Sequence, residues 1–140
     1  MTAPASDGIW AEQAIRSALH EAGGFPADID LICAHGTGTL LNDEMEGSLI
    51  KRIYGMHKPL VIALKSWIGH LAAACGAVEL AILLICMGKG YLPEIRNLQQ
   101  PSFPDCSFVR EGIECTPHTA VIQNFGFGGQ NCAIVIKIVT

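Results

Sequence analysis

Leu60-Val61-Ile62-Ala63-Leu64-Lys65-Ser66-Trp67-Ile68-Gly69-His70 is the stretch on which the fold turns. Pro59 leads into a short apolar run with β-branched residues, the pattern of a buried strand. A polar turn with a lysine, a serine and a glycine follows. After it comes an alanine-rich apolar stretch that reaches Met87 and is stopped by Gly88 and Gly90. Strand, polar turn and helix in this order form the building unit of a layered α/β domain. The spacing predicts a buried helix from about Gly69 to Met87, with His70 at its N-terminus. The positive end of the helix dipole disfavours an imidazolium there, so His70 is expected to be neutral and to donate a hydrogen bond.

The same organisation extends outward. Ser6 is expected to cap a helix starting near Gly8, with Ile9, Trp10, Ile15 and Leu19 on helical spacing and Gly23-Gly24 ending it. Pro26-Ala27-Asp28 reads as a turn before a strand from Asp30 to Ala34. Asn42 or Asp43 is expected to cap a second helix carrying Met45, Leu49, Ile50 and Ile53, closed by Gly55. Residues 91–118 contain Pro93, Pro101, Pro104 and Pro117 and read as a long surface excursion, with short strand pieces near Phe108 at most. Residues 120–123 and 132–138 are rich in β-branched residues and flank a glycine turn, the signal of a hairpin. The order α-β-α-β-α-loop-β-β predicts an α/β domain with a mixed sheet.

Composition sets limits on function. A chain of 140 residues is expected to be one domain, residues 1–140, with its own core. Half of it is hydrophobic and only 16% is charged, so apolar surface meant for a partner is expected. A net charge of −4 with scattered Lys and Arg gives no footprint for nucleic acid. The apolar stretch from His70 to Met87 is interrupted by Glu79 and is alanine-rich, which predicts a buried helix, not a membrane span. The first residues lack the basic and apolar regions of a signal peptide, so a cytoplasmic location is expected. The six cysteines, 33, 75, 86, 106, 115 and 132, form no CxxC or zinc-type pattern. Cys33, Cys75, Cys86 and Cys132 lie in apolar runs and read as small buried hydrophobes; none sits on a strand-to-helix elbow.

Three glycine-framed segments follow apolar runs and carry the chemistry. In Cys33-Ala34-His35-Gly36-Thr37-Gly38-Thr39 the glycines let backbone approach a ligand, and Thr37 and Thr39 offer hydroxyls. A phosphate loop is the competitor, but its lysine and GK[ST] ending are missing. The alternative for His35 is an imidazole satisfied by local turn hydrogen bonds. In the second segment Lys65 and Glu79 are expected to pair in an apolar setting, either as a structural ion pair or in support of catalysis. In Asn124-Phe125-Gly126-Phe127-Gly128-Gly129-Gln130-Asn131 the turn can aim backbone N–H groups at an oxyanion, with Phe127 as a movable wall. A tight hairpin with packed aromatics reads equally well.

Together, the HGTGT at residues 35–39, the KSxxGH at 65–70 with its alanine-rich continuation, and the FGFGGxN at 125–131 resemble the β-ketoacyl synthases. These are condensing enzymes of fatty-acid and polyketide synthesis with the thiolase fold. The resemblance covers nearly the whole chain and concerns the C-terminal half of the family only. It implies that His35 and His70 bind the thioester carbonyl of a malonyl extender and stabilise the enolate formed on decarboxylation. It also implies that Lys65 orders the histidine site with Glu79 as its acidic partner. Thr37, Thr39 and Gly128 match positions that hold the phosphopantetheine arm. Phe127 matches a gating residue whose N–H contributes to an oxyanion hole. No metal or resident cofactor is implied, because phosphopantetheine arrives on the acyl carrier protein. The implied partners are that carrier, the N-terminal half of a synthase and a second synthase subunit, with no nucleic acid and no membrane.

The family's nucleophilic cysteine lies in its N-terminal half and has no match here, so this chain alone is expected to be inactive. In the family a central strand precedes the segment resembling Met1 to Pro4; it has no match here either, and a sheet with that gap is not expected to be stable as a monomer. Cys75 stands where the family usually has alanine, and Gln123-Asn124 where Asn-Ser or Ser-Ser is common. Beside the enzyme reading stand two others: a non-catalytic subunit similar to a chain-length factor, and a free-standing pantetheine-binding module.

Overall fold

The computed structural model describes residues 7–139, apart from the side chain of Phe127. Helix α1, Ile9–Glu21, buries Ala11, Ile15 and Leu19 at intervals of four and leaves Trp10 in solvent. Its cap is Gly8 in the left-handed region, φ 65°, with the Ile9 N–H donating to Asp7 Oδ1 at 3.2 Å. The expected cap, Ser6, lies outside the described residues, as does the Met1–Pro4 segment. After a 3-10 turn at Pro26–Asp28 comes β1, Leu31–Cys33, and then α2, Leu40–Tyr54. Neither Asn42 nor Asp43 caps α2. The helix begins earlier, and Asn42 lies inside it, buried, with its amide turned to Glu46 at 2.9 Å.

Strand β2, Leu60–Ile62, leads into α3, a single turn over Lys65–Ile68. A 3-10 turn at Ala72–Ala74 precedes α4, Cys75–Lys89. The predicted helix from Gly69 is therefore cut short at its start. Gly69 has φ 73° and Ala72 φ 50°, which take the backbone out of the right-handed helix before it can propagate. The remaining strands are β3 (Tyr91–Leu92), β4 (Ser107–Phe108), β5 (Ile113–Glu114), β6 (Thr119–Phe125) and β7 (Asn131–Lys137). Strands β3 and β5 form a small antiparallel pair within the proline-rich excursion.

The main sheet has the order β4-β2-β1-β6-β7, parallel except for β7, which runs antiparallel to β6. Contrary to the expected loss of a central strand, the sheet of the described residues has no gap at its centre. Leu31, Ile32 and Cys33 of β1 pair with residues 60–62 on one side and 120–122 on the other, so the middle of the sheet is closed. Among the described residues the open edges are those of β4 and β7.

Strand alternation assigns the two faces. Ile32, Val61 and Val121 point into a cluster with Ile15, Leu19, Met45 and Leu49 of α1 and α2. Leu31, Cys33, Ile62 and Ile122 point the other way, onto Leu83 and Met87 of α4. The result is three layers, α/β/α. Helix α4 buries only the stripe Cys75, Glu79, Leu83 and Met87, while Leu84 and Ile85 are 49% and 58% exposed. The expectation of a fully buried helix thus fails on its outer side, whereas the expected apolar surface is present. Residues Ala72–Lys89 have the length and hydropathy of a membrane span, yet their stripe is seated on the sheet around a buried Glu79.

All six cysteines are free. Cys33 and Cys75 are buried as expected, and burial raises the Cys33 thiol above its ordinary value. Cys132 is exposed, contrary to its apolar run: its pairing with Asn124 sets it on the α4 face of β7, at the end where Ile134 is exposed too.

Candidate active site

Strands β1, β2 and β6 are parallel, so their carboxyl ends share one edge of the sheet, where ligands of open α/β sheets bind. His35 follows β1 by two residues, Lys65 follows β2 by three, and Asn124 and Phe125 close β6. Sheet pairing between distant segments thus brings the sequence motifs together.

The ring centroids of His35 and His70 are 5.9 Å apart at an interplanar angle of 88°, and Phe125 packs on His35 at 5.4 Å. Lys65 Nζ donates to both Glu79 oxygens, at 2.8 and 3.0 Å, with side-chain exposures of only 4% and 0%. The ammonium also donates to Asn124 Oδ1 at 3.3 Å, and Asn124 Nδ2 donates to Glu79 Oε2 at 3.2 Å. His35 Nδ1 meets the same Asn124 Oδ1 at 3.2 Å. Lys65 therefore reaches His35 through Asn124. The expected Lys65–Glu79 pair is present and buried.

His70 is exposed and lies in the loop before α4, not at a helix N-terminus. The dipole argument for its charge state therefore does not apply. A local contact acts instead: the Ala72 N–H donates to His70 Nδ1 at 3.0 Å, which makes that nitrogen an acceptor. Cys75 Sγ lies 3.4 Å from the same nitrogen and accepts the Leu71 N–H at 3.0 Å.

His35 is held below its ordinary value of 6.5, at about 4, first by desolvation and then by the nearby Lys65 charge. A folded imidazole that binds its proton so weakly contributes stability that is complete above the unfolded value. That stability is lost as the pH falls from about 6.5 to about 4, while the unfolded chain takes up a proton that the folded one refuses. We expect the His35 ring resonances to titrate near pH 4 and the denaturation midpoint to drop across that window. A His35 titration near 6.5 would contradict this.

Sequence reasoning missed Glu46. Its buried carboxylate accepts the backbone N–H groups of His35 (2.7 Å) and Gly36 (2.9 Å), the Asn42 amide (2.9 Å) and the Gln123 amide (2.7 Å). It anchors the His35 turn to α2 and β6. The available signal was its place on the α2 face marked by Ile50 and Ile53, where an unpartnered carboxylate would be costly.

A cavity of about 600 Å³ adjoins the cluster, lined among others by Thr37, Lys65, His70, Ile95, Arg96 and Phe103. Phe103 lies against the α2 backbone at Gly47, where an added Cβ would come within 2.1 Å of its ring. On the other side the Arg96 guanidinium stacks 3.6 Å over Trp67, whose Nε1–H donates to the Glu94 carbonyl at 2.7 Å. Thr37 and Thr39 are bonded to each other at 3.1 Å; Thr37 lines the cavity and Thr39 is exposed. Gly128, φ 79°, sits in a 3-10 turn over Phe127–Gly129 that the Gly126 N–H closes onto Gln130 O at 2.7 Å. The Phe127 side chain lies outside the described residues.

Residues 1–99 match the family model "Beta-ketoacyl synthase, C-terminal domain". The chain is 35% identical to 3-oxoacyl-[acyl-carrier-protein] synthase 2 of Rhizobium meliloti (strain 1021), over 98% of this chain and 33% of that protein. Among solved structures it resembles a chain of the complex of a type II PKS acyl-carrier protein with its ketosynthase bound to the hexaketide. There the TM-score is 0.91 at 32% identity, over 100% of this chain and 35% of that one. It also resembles a chain of the complex of a ketosynthase with its chain length factor from Xenorhabdus doucetiae, with TM-score 0.90 and 31% identity over 99% and 36% of the two chains. The chain spans about a third of the length of these proteins.

Proposed function

Because this chain belongs to the β-ketoacyl synthase family and corresponds to its C-terminal domain, we propose that it forms the decarboxylation side of a condensing site. The substrate would be a malonyl thioester on an acyl carrier protein, in fatty-acid or polyketide synthesis. The observation that carries this reading is the meeting of His35 and His70, 5.9 Å apart, beside a cavity of about 600 Å³. A thioester carbonyl at that edge would find an imidazole N–H at His70, whose Nδ1 is already engaged. Loss of CO2 leaves the electron pair on the thioester as an enolate, and a fixed donor stabilises the transition state more than the ground state.

The carbanion then attacks an acyl group carried by a cysteine on another stretch of chain, whose thiolate leaves. Lys65 and Glu79 would hold the site without entering the reaction. Thr37, Thr39 and Gly128 would guide the pantetheine arm, and Phe127 would gate it and lend its N–H to the tetrahedral oxyanion. Nothing in this chemistry requires a resident cofactor or metal. The partners would be the carrier protein, the N-terminal part of a synthase and a second subunit, in the cytoplasm. The uncovered outer side of α4, with Leu84 and Ile85, provides apolar surface suited to such packing.

The test is CO2 release from malonyl-carrier thioester by the chain assembled with a cysteine-bearing N-terminal part. His70→Ala is expected to slow it by about 10²–10³-fold, the cost of losing one oxyanion donor. Unchanged rates in both His70→Ala and His35→Ala would remove the assignment and leave the chain-length-factor reading.

A further inference from the structure

Asn124 and Cys75 each touch the Nδ1 of one histidine, at 3.2 and 3.4 Å. Chemistry fixes how the Asn124 amide is turned. An ammonium only donates and a carboxylate only accepts, so Oδ1 faces Lys65 at 3.3 Å and Nδ2 faces Glu79 at 3.2 Å. The reverse orientation would set donor against donor and acceptor against acceptor. The atom that His35 Nδ1 meets at 3.2 Å is therefore a carbonyl oxygen, and Nδ1 must bring the proton. His35 is neutral near pH 7, so its Nε2 keeps a lone pair.

His70 is arranged the other way. The Ala72 N–H donates into the one lone pair of its Nδ1 at 3.0 Å, which leaves the ring proton on Nε2, and Cys75 Sγ lies 3.4 Å from the same nitrogen. The Leu71 N–H on Cys75 Sγ, at 3.0 Å, holds the thiol in place. A serine hydroxyl at position 124, being both donor and acceptor, would select neither tautomer of His35.

We propose that Asn124 is the positioning residue that sets His35 in the tautomer opposite to that of His70, His35 protonated on Nδ1 and His70, with the Ala72 N–H on its Nδ1, protonated on Nε2. The pair then presents one lone pair and one N–H in place of two N–H donors. The consequence for a bound carbonyl rests on the function proposed above: His70 alone polarises it, and His35 is left as a hydrogen-bond acceptor. The tautomers themselves are a property of the resting protein, so they can be refuted without touching that function.

The experiment is a long-range ¹H–¹⁵N correlation spectrum of the imidazole rings in the labelled full chain near pH 7, with the rings assigned by His35→Gln and His70→Gln. The expected pattern has Nδ1 of His35 in the range of a protonated ring nitrogen and its Nε2 in that of an unprotonated one, with His70 reversed. Asn124→Ser is expected to shift His35 toward the Nε2–H form while His70 stays as it was. Cys75→Ala is expected to leave the His70 pattern as it was, because the Ala72 N–H stays on Nδ1. A wild-type spectrum with both rings protonated on Nε2 overturns the proposal, whether or not the variants fold. So does an unchanged His35 pattern in Asn124→Ser.

Discussion

Lys65→Met is expected to destabilise the protein by about 3–5 kcal/mol, the usual cost of stranding one charge of a buried pair. The reason is the partner left behind. Glu79 is 0% exposed, and both of its oxygens face Lys65 Nζ, at 2.8 and 3.0 Å. Asn124 Nδ2 remains as a donor, but an amide dipole does not neutralise a carboxylate in an apolar layer. Glu79→Leu strands the ammonium in the same way. The double variant Lys65→Met/Glu79→Leu removes both charges and is expected to recover most of the loss. Chemical denaturation of the two single variants and the double variant closes the cycle. A single variant within about 1 kcal/mol of the parent would mean that the pair behaves like one exposed to solvent.

Glu46→Ala is the second large effect, again about 3–5 kcal/mol, because buried donors left without an acceptor cost about 1–3 kcal/mol each. Water entering the vacated space offsets part of that sum. Four donors meet this carboxylate, and two of them, the N–H groups of His35 and Gly36, belong to a turn that makes no ladder hydrogen bond there. The loss should therefore be concentrated at the end of β1. Hydrogen exchange at the His35 and Gly36 amides is expected to accelerate together with the drop in denaturation midpoint. Glu46→Gln keeps the volume and one acceptor oxygen but turns an NH2 toward the donors, so it should fall between the parent and the alanine variant. If Glu46→Ala leaves both readouts unchanged, the carboxylate does not hold the turn.

These two carboxylates show where sequence reading stops. The Glu79–Lys65 pair was legible because both residues stand in or beside a run of apolar side chains, where a charge must find a partner. Glu46 was not legible, although its helix was. Its partners come from residues 35, 36, 42 and 123, and only Asn42 is within one turn of helix. The start of α4 failed for a related reason. Three consecutive alanines favour a helix, yet Ala72 sits at φ 50° and its N–H is given to His70. The sheet was legible in its strands but not in their order. That β1 lies directly beside β6 depends on a register between residues 31–33 and 120–122, which no local pattern encodes.

The amino-acid sequence alone determined the α/β class, the strands and helices that carry it, the β6–β7 hairpin and the motifs that end up at one edge. Each of these follows from short-range causes: apolar periodicity, and glycines where the backbone must turn. Tertiary structure alone decided what the polar groups do once they are there. Asn124 joins Lys65, Glu79 and His35 across sequence separations of 59, 45 and 89 residues. Which nitrogen of the His35 ring keeps its proton is set by the Asn124 oxygen that faces it, and only the closed sheet brings that oxygen into place.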